Sequence, residues 1–205
     1  MKNLLSTTLT FWLLAFSFAN AQEQISDEDI LAVASAERAI NAIRSAQGRF
    51  VQFASNGESA EGSLFIQRPG KLRFEYDPPN PIMILADGTW VMQVDRELEE
   101  VAHQRLKRSV MYFLLEDYVD FTKGINLIDV ERLVDTTMIT IERQGYEDQG
   151  YLTLFVDPQN AALQGWQTLD KQGERVTVQL QSMTYGVDQP ETLFTLPRGY
   201  GRDER

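Results

Sequence analysis

Cysteine is absent from this sequence of 205 residues, and histidine occurs once, at His103. Without cysteine the chain has no disulfides, thiolate metal sites or cysteine nucleophiles. A single histidine leaves little room for zinc ligation or imidazole-based catalysis. Positive charge is also scarce, since 19 Lys and Arg stand against 30 Asp and Glu. The resulting net charge of −11 argues against a general nucleic-acid binder and against adsorption to anionic lipid headgroups.

Motifs that carry chemistry are missing as well. The sequence contains no G-x-S-x-G, S-x-x-K, H-E-x-x-H, G-x-G-x-x-G or EF-hand pattern. The many carboxylates are typical of a solvated acidic surface. His103 stands beside Gln104, Arg105, Lys107 and Arg108, which favours a surface histidine over a general base. This basic stretch is either a site that guides an acidic partner or, as we favour, a solvated flank. We predict no enzymatic activity, no metal and no cofactor.

Long hydrophobic runs are limited to the N-terminus. The run from Leu4 to Phe18 spans about 15 residues, fewer than the roughly 20 that a transmembrane helix requires. Lys2 precedes it and the small residues Ala19-Asn20-Ala21 follow it, which is typical of a signal peptide cleaved after Ala21. A membrane anchor is the alternative. Residue 22 is Gln rather than a lipidated Cys, so we predict an exported, soluble domain over residues 22–205 with a charge of −12 once Lys2 is removed.

Hydrophobic periodicity predicts one helix followed by many short strands. Ser26 and Asp29 form an N-cap pair, and apolar residues follow at helical spacing until Gly48. Helical spacing returns at 109–115 and again at 118–124. Alternation or apolar runs predict strands at 50–53, 62–67, 71–76, 82–85, 90–94, 101–104, 125–133, 138–143, 151–156, 163–169, 176–183 and 193–196. Strands at hairpin spacing with few helices predict an antiparallel sheet curled on itself, with the helices against one side.

The most informative local sequence is Gln67–Pro79, in which Pro69-Gly70 builds a turn before an alternating strand and Pro78-Pro79 ends it. Asp87-Gly88 then supplies a further hairpin turn. Together with Gly48–Gln52 and Leu193–Pro197, these segments occur in the order found in the periplasmic outer-membrane lipoprotein carrier family, LolA, and the chain resembles that family over essentially the whole mature sequence.

The resemblance implies a mainly β, α+β fold: an incomplete antiparallel β-barrel whose N-terminal helix and short helical insert cover an apolar cavity. It implies a monomeric periplasmic chaperone that binds the acyl chains of lipoproteins. Such a carrier takes its cargo from an inner-membrane lipoprotein-releasing ABC transporter and passes it to an outer-membrane acceptor. The alternatives are another periplasmic lipid-binding or envelope-stress sensor protein and an exported carboxylate-dependent hydrolase, for which the sequence shows no supporting constellation.

The same resemblance assigns Arg68 as a latch that bonds to lid backbone groups and holds the empty cavity closed. Alternating Leu72, Phe74 and Tyr76 are by themselves equally typical of a dry core, and only the resemblance favours a cavity. Phe74 stands where the family usually has Trp, and Leu72 where an aromatic is common. The candidate cavity and lid residues are Ile30, Val33, Leu64, Ile66, Leu72, Phe74, Tyr76, Ile84, Trp90, Met92, Val110, Phe113 and Leu114.

Overall fold

The computed structural model describes residues 25–200, so the predicted signal peptide and its cleavage site lie outside the described residues. Helix α1 spans Asp27–Ala42. Its start is the predicted cap: the Ser26 hydroxyl accepts the Asp29 N–H at 3.2 Å, and the Asp29 carboxylate accepts the Ser26 N–H at 2.8 Å. The helix ends earlier than predicted, because a strand already begins at Ser45. Within 25–200, no helix combines the length and apolarity that crossing a bilayer demands.

Eleven antiparallel strands form one sheet. Their order is β6-β5-β4-β3-β2-β1-β11-β10-β9-β8-β7, so β6 and β7 are its two edges and the sheet is not closed. Most neighbours along the chain are also neighbours in the sheet, which is typical of hairpin connections. The strands are β1 (Ser45–Ala54), β2 (Ser59–Gln67), β3 (Lys71–Tyr76), β4 (Ile82–Asp87), β5 (Trp90–Asp95), β6 (Glu100–Arg105), β7 (Ile125–Arg132), β8 (Thr137–Arg143), β9 (Tyr151–Val156), β10 (Leu163–Leu169) and β11 (Arg175–Tyr185).

The sheet is strongly curled, as one distance demonstrates. Phe74 lies on β3 and Trp166 on β10, four strand positions apart. In a flat sheet that separation is about 19 Å at the usual interstrand spacing. The two ring centroids are 6.1 Å apart. The inner faces of the two halves therefore meet in a single apolar cluster, and the predicted curled antiparallel sheet is confirmed.

Two predicted elements are wrong. The segment 118–124 forms turns instead of a helix, because side chains from α1 hold its backbone N–H groups, as described below. The predicted strand at 193–196 is instead a 3₁₀ helix, Glu191–Phe194, with an extended residue after it. Pro190 and Pro197 flank it and lack the N–H that a sheet ladder requires. Helicity at 109–115 is confirmed only for α2, Tyr112–Leu115, which follows a 3₁₀ turn at Leu106–Arg108.

Each face of the curled sheet carries its own apolar cluster. The inner cluster contains residues from both halves of the sheet together with α1 and α2. The outer cluster lies on β4 and β5, around Met83, Leu85, Met92 and Val94, and is covered by the C-terminal segment through Phe194. The two clusters arise because successive residues of a strand point to opposite faces and both sets are apolar in β4.

Candidate functional site

The inner cluster gathers most of the predicted cavity residues. Strict alternation in β3 buries Leu72, Phe74 and Tyr76 while Lys71 and Arg73 take the other face. Phe50 packs edge-on against Phe74 at 4.8 Å between ring centroids. The predicted residues that are buried in this cluster are Val33, Leu64, Leu72, Phe74, Tyr76, Phe113 and Leu114, and those that are half-buried against it are Ile66, Ile84 and Val110.

Tyr76 packs its phenol ring against Phe50 in the same buried group of aromatic side chains. Its hydroxyl donates to the Gln52 side-chain oxygen at 2.7 Å, which satisfies the polar end of an otherwise apolar contact surface. Burial raises the pKa of Tyr76, because the phenolate would lose its hydration, although the hydrogen bond with Gln52 acts in the opposite direction. The ring therefore stays neutral and presents no charge to the cluster.

A narrow apolar cavity lies between the sheet and the two helices. Its only charged lining residue is Arg68, and the free space amounts to about 20 Å³ for a water-sized sphere, room for about one water molecule. With α1 and α2 in this position the cavity is narrow and has no room for a ligand as large as an acyl chain. Its lining residues are Ile40, Ile43, Ile66, Arg68, Leu72, Met111, Leu114, Leu115, Leu163 and Trp166.

Arg68 fastens both helical segments to the sheet. It follows β2 directly and is only 7% exposed. Its guanidinium donates to the carbonyl oxygens of Ile40 and Ile43 at the end of α1, and to that of Glu116 after α2, where Nε lies 2.8 Å from the acceptor. Burial lowers the pKa of Arg68, and the nearby Arg44 adds to the effect, but a guanidinium remains protonated in proteins. A fixed cation with five donors thus bonds several helix-end carbonyls at once, including that of Ile40, which also accepts the Ile43 N–H at 3.1 Å.

Asn41 adds a second fastening between α1 and the segment after α2. Its side-chain nitrogen donates to the Val119 carbonyl oxygen and its oxygen accepts the Val119 N–H, both at 2.8 Å. The Glu37 carboxylate accepts the Phe121 N–H at 2.9 Å. These paired contacts explain why 118–124 is not helical, because its backbone N–H groups bond to side chains of α1.

Arg44, just after α1, makes a third connection to the segment after α2, on its solvent-exposed side. Its guanidinium donates to the Asp117 carbonyl oxygen at 2.8 Å and pairs with the Asp117 carboxylate at 3.0 Å. Sequence reasoning missed Asn41, Glu37 and Arg44. Polar residues on a predicted amphipathic helix read as its solvated face, and nothing in the local pattern indicates a partner about 75 residues away.

Three predicted residues do not lie with the others. Ile30 is 55% exposed on the outer side of α1. Trp90 and Met92 lie in the outer cluster, on the opposite face of the sheet. The reason is the register of the β4–β5 hairpin, which pairs Met92 with Leu85 and leaves Val91 beside Ala86 on the inner face. We therefore remove these three residues from the set of candidate cavity residues.

His103, the one histidine of the sequence, does not lie in the inner cluster. His103 is exposed, and its ring packs edge-on against Trp90 at 5.1 Å between centroids. Over residues 25–200, no three His, Cys, Asp or Glu side chains are grouped so that they could hold a metal ion. The arrangement under the helices is suited to the non-covalent burial of an apolar ligand.

Similar structures have been solved, at low identity. A LolA superfamily protein from Nitrosomonas europaea aligns over 80% of this chain and 97% of its own, with a TM-score of 0.48 and 12% identity. MucB aligns over 85% of this chain and 64% of its own, with a TM-score of 0.46 and 13% identity.

Sequence relatives are more informative. An uncharacterized protein of Rickettsia prowazekii is 32% identical over 114 residues, which cover 56% of this chain and 54% of that protein, so the match spans about half of its length. An outer-membrane lipoprotein carrier protein of Sodalis glossinidius is 24% identical over 100% of this chain and 99% of its own. That of Chromohalobacter salexigens is 24% identical over 69% and 70%.

The family comparison covers most of the chain. The model of the family described as outer membrane lipoprotein carrier protein LolA matches residues 41–197, from the last turn of α1 to the proline after the C-terminal 3₁₀ helix. That range includes Arg68, the helical insert and all eleven strands. The resemblance noted from the sequence is thereby confirmed, and the chain belongs to the outer membrane lipoprotein carrier protein family, LolA.

Proposed function

We propose that this protein is a periplasmic chaperone that binds the acyl chains of lipoproteins between the curled sheet and its helical lid, and carries them from the inner to the outer membrane. The lid consists of α1 and the insert 106–124. One observation carries the proposal: a narrow apolar cavity is covered by two segments that meet at a single buried guanidinium. Family membership and the carrier relatives support the same role.

Cargo entry requires the lid to move. The closed cavity has room for about one water molecule, far less than an acyl chain needs. Moving α1 and the insert off the sheet breaks the bonds of Arg68 and exposes the apolar side chains that both segments bury. Moving the two segments apart also breaks the bonds of Asn41 and Arg44 to the insert. The empty protein therefore returns to the closed state once the ligand leaves.

The free-energy cost of opening the lid weakens cargo binding, and without it the acyl chains would bind too tightly to be released. Burial contributes about 0.8 kcal/mol per CH₂, so three long chains nominally reach some tens of kcal/mol. Non-covalent affinities saturate near roughly 20 kcal/mol, and a carrier at that limit would not release its cargo. Opening the lid offsets part of the gain, which brings the net affinity into a range that permits transfer.

The proposed route follows from the family. The chain is exported after cleavage behind Ala21 and acts as a monomer. It accepts lipoproteins from an inner-membrane lipoprotein-releasing ABC transporter and delivers them to an outer-membrane lipoprotein acceptor. No covalent step is involved, and Arg68 acts as the latch of the empty state.

Isolation of the protein from its native periplasm tests the proposal, with the bound species identified by mass spectrometry. We expect acylated proteins to co-purify. Free phospholipid as the sole ligand would instead favour another lipid-binding role, and turnover of an ester or glycan would contradict a carrier altogether.

A latch variant sharpens the test. Arg68→Leu removes the lid bonds, so we expect the variant to retain cargo and to release it more slowly to acceptor membranes. Arg175→Leu, at an exposed arginine on the far hairpin, is the matched control and should transfer like the wild type. Equal transfer rates for all three proteins would contradict the latch.

A further inference from the structure

The basic stretch at the end of β6 is not used by the lid or by the cavity. Residues 103–108 hold three of the 19 basic residues and His103, with no acid among them, in a chain that carries 30 acids. His103, Arg105, Lys107 and Arg108 are all exposed. We call these four residues the β6 cluster.

The side chains of the cluster form no ion pair with the described residues. Over residues 25–200, none of the four has a carboxylate oxygen within 4.0 Å, although nine such ion pairs form elsewhere in that range. Carboxylates stand farther off on one side only: Arg108 shares its groove with Asp148 and Asp170, and Lys107 acts electrostatically on Glu116. The guanidinium of Arg105 lies 4.1 Å from the centroid of the Trp90 ring, which holds it in place without neutralising it.

The cluster also lies on an unpaired sheet edge. Strand β6 pairs only with β5, so one side of its backbone faces away from the sheet. The other edge differs, because Arg132 at the end of β7 bonds to Glu28 and Asp29 of α1 at 3.0 and 3.3 Å. An exposed edge strand offers main-chain hydrogen bonds to an added strand.

The positions of the cations suit such a strand. In the register with β5, Arg105 stands opposite Trp90 and His103 opposite Met92, so both side chains lie on the outer face. Gln104 points to the other side, where it lines a groove with Arg108 and Tyr146. A strand added beside β6 would place alternate side chains about 4.5–5.5 Å from His103 and Arg105, the distance at which a carboxylate opposite the Arg105 guanidinium stabilises a cross-strand pair.

We propose that the edge of β6 is a docking site for an acidic, extended segment of a partner protein, which adds as a strand and pairs its carboxylates with the β6 cluster. A polypeptide fits better than a membrane surface, because the free backbone groups of the edge have no counterpart in a bilayer and the net charge of −11 opposes anionic lipid. The proposal is independent of cargo binding in the cavity.

Binding of a fluorescent peptide of alternating Thr and Glu to the full chain tests this site. We expect salt-sensitive binding that weakens about tenfold or more in Arg105→Glu/Arg108→Glu. The Lys107→Glu/Arg108→Glu variant leaves the stacking on Trp90 intact and should show the same loss. The matched control, Arg175→Glu/Arg198→Glu, changes the net charge equally at two exposed arginines outside the β6 cluster and should bind like the wild type.

Two further arms separate strand addition from simple charge attraction. The same peptide with alternate backbone amides methylated should fail to bind, since it cannot complete the ladder with β6. Equal binding of the methylated peptide, or equal binding to all variants, would overturn the proposal. A third result would also overturn the proposal: the wild type does not bind the peptide but floats with phosphatidylglycerol vesicles, and the cluster variants do not float. The cluster would then be a membrane contact. None of these results depends on lipoprotein co-purification, so the docking site can be contradicted while the carrier role stands, and the reverse.

Discussion

The two faces of the curled sheet are both apolar and both covered, but their covers are attached differently. The inner cluster is covered by the lid, which buries apolar side chains of α1 and of the insert. Arg68 bonds both lid segments to the end of β2, and Asn41 and Arg44 join the end of α1 to the insert. The outer cluster is covered by the C-terminal segment, which inserts the ring of Phe194 until it is 2% exposed. One cover thus combines apolar packing with polar bonds to backbone groups at its edge, whereas the other centres on one buried aromatic ring.

This difference separates a removable cover from a permanent one. A hydrogen bond that is lost to water costs about 0.5–1.5 kcal/mol, since water replaces the partner when the segment swings out. Pulling an aromatic ring out of a packed core costs about 3–5 kcal/mol. The outer segment is also tied by Arg73, which donates to the Leu193 carbonyl oxygen at 3.1 Å, and by the Lys71–Glu191 ion pair. In the proposed function the lid is the segment that opens, and its cost includes the exposure of the apolar side chains that α1 and the insert bury.

The largest expected effect is on the permanent cover. Phe194→Ala should lower the free energy of unfolding by about 3–5 kcal/mol, because it leaves a cavity under the C-terminal segment. Denaturant unfolding measures the loss. Acyl-chain binding per folded molecule should be unchanged, and a selective loss of binding would show that the outer cluster belongs to the ligand site.

A pair of variants compares the two clusters directly. Leu72→Ala in the inner cluster and Met92→Ala in the outer one should each cost about 2–4 kcal/mol of stability, since both side chains are buried. Only Leu72→Ala should change the affinity for a fluorescent fatty-acid probe, because Leu72 lines the cavity. Equal changes in probe affinity for the two variants would contradict the assignment of ligand binding to the inner face alone.

The latch is expected to have a smaller effect on stability and a larger one on lid opening. Arg68→Leu should cost about 1–3 kcal/mol, because the Glu116 carbonyl loses the guanidinium donor and the Ile40 carbonyl keeps only the Ile43 N–H. Amide hydrogen exchange should accelerate in α1 and in 106–124, and remain at the wild-type rate around Phe194. Uniform acceleration throughout the sheet would mean that the lid does not open independently.

The cap of α1 makes a still smaller contribution. Ser26→Ala should destabilise the helix by about 1 kcal/mol, because the Asp29 N–H loses its acceptor. Exchange should accelerate in the first turn of α1, while the end fastened by Arg68 keeps its protection. Ser26→Thr preserves the hydroxyl and serves as the control.

Acid should weaken the same end of α1 selectively. Hydrogen bonds from the side chain and backbone of Ser26 hold the pKa of Asp29 below its usual range. A carboxyl whose pKa is depressed by folding contributes stability above its unfolded pKa, and that stability is lost as the pH falls through the folded value. Protection of the first turn should therefore decline below about pH 4, and Ser26→Ala should weaken this dependence, because only the backbone N–H of residue 26 still bonds to Asp29. The bonds from Arg68 to backbone carbonyls should not respond, because neither the guanidinium nor the carbonyls titrate there.

Some elements were predictable because their signals are local. The Ser26–Asp29 cap, the alternation of β3 and the Asp87-Gly88 turn each lie within a few residues, and each is found as predicted. The 3₁₀ helix before Phe194 was not predictable from a short apolar run, since strand and helix share that pattern. Trp90 and Met92 were misplaced because one residue of hairpin register exchanges the two faces of a strand.

The sequence by itself determined what this protein lacks, the start of its helix, the alternating strands and the family motifs with Arg68 among them. Tertiary structure decided which apolar face is enclosed, because curling brings Phe74 within 6.1 Å of Trp166 across four strand positions. It also decided which groups Arg68, Asn41 and Arg44 bond. Periodicity records only neighbours along the chain, whereas these partners are separated by up to 78 residues and meet only when the sheet has curled around its core.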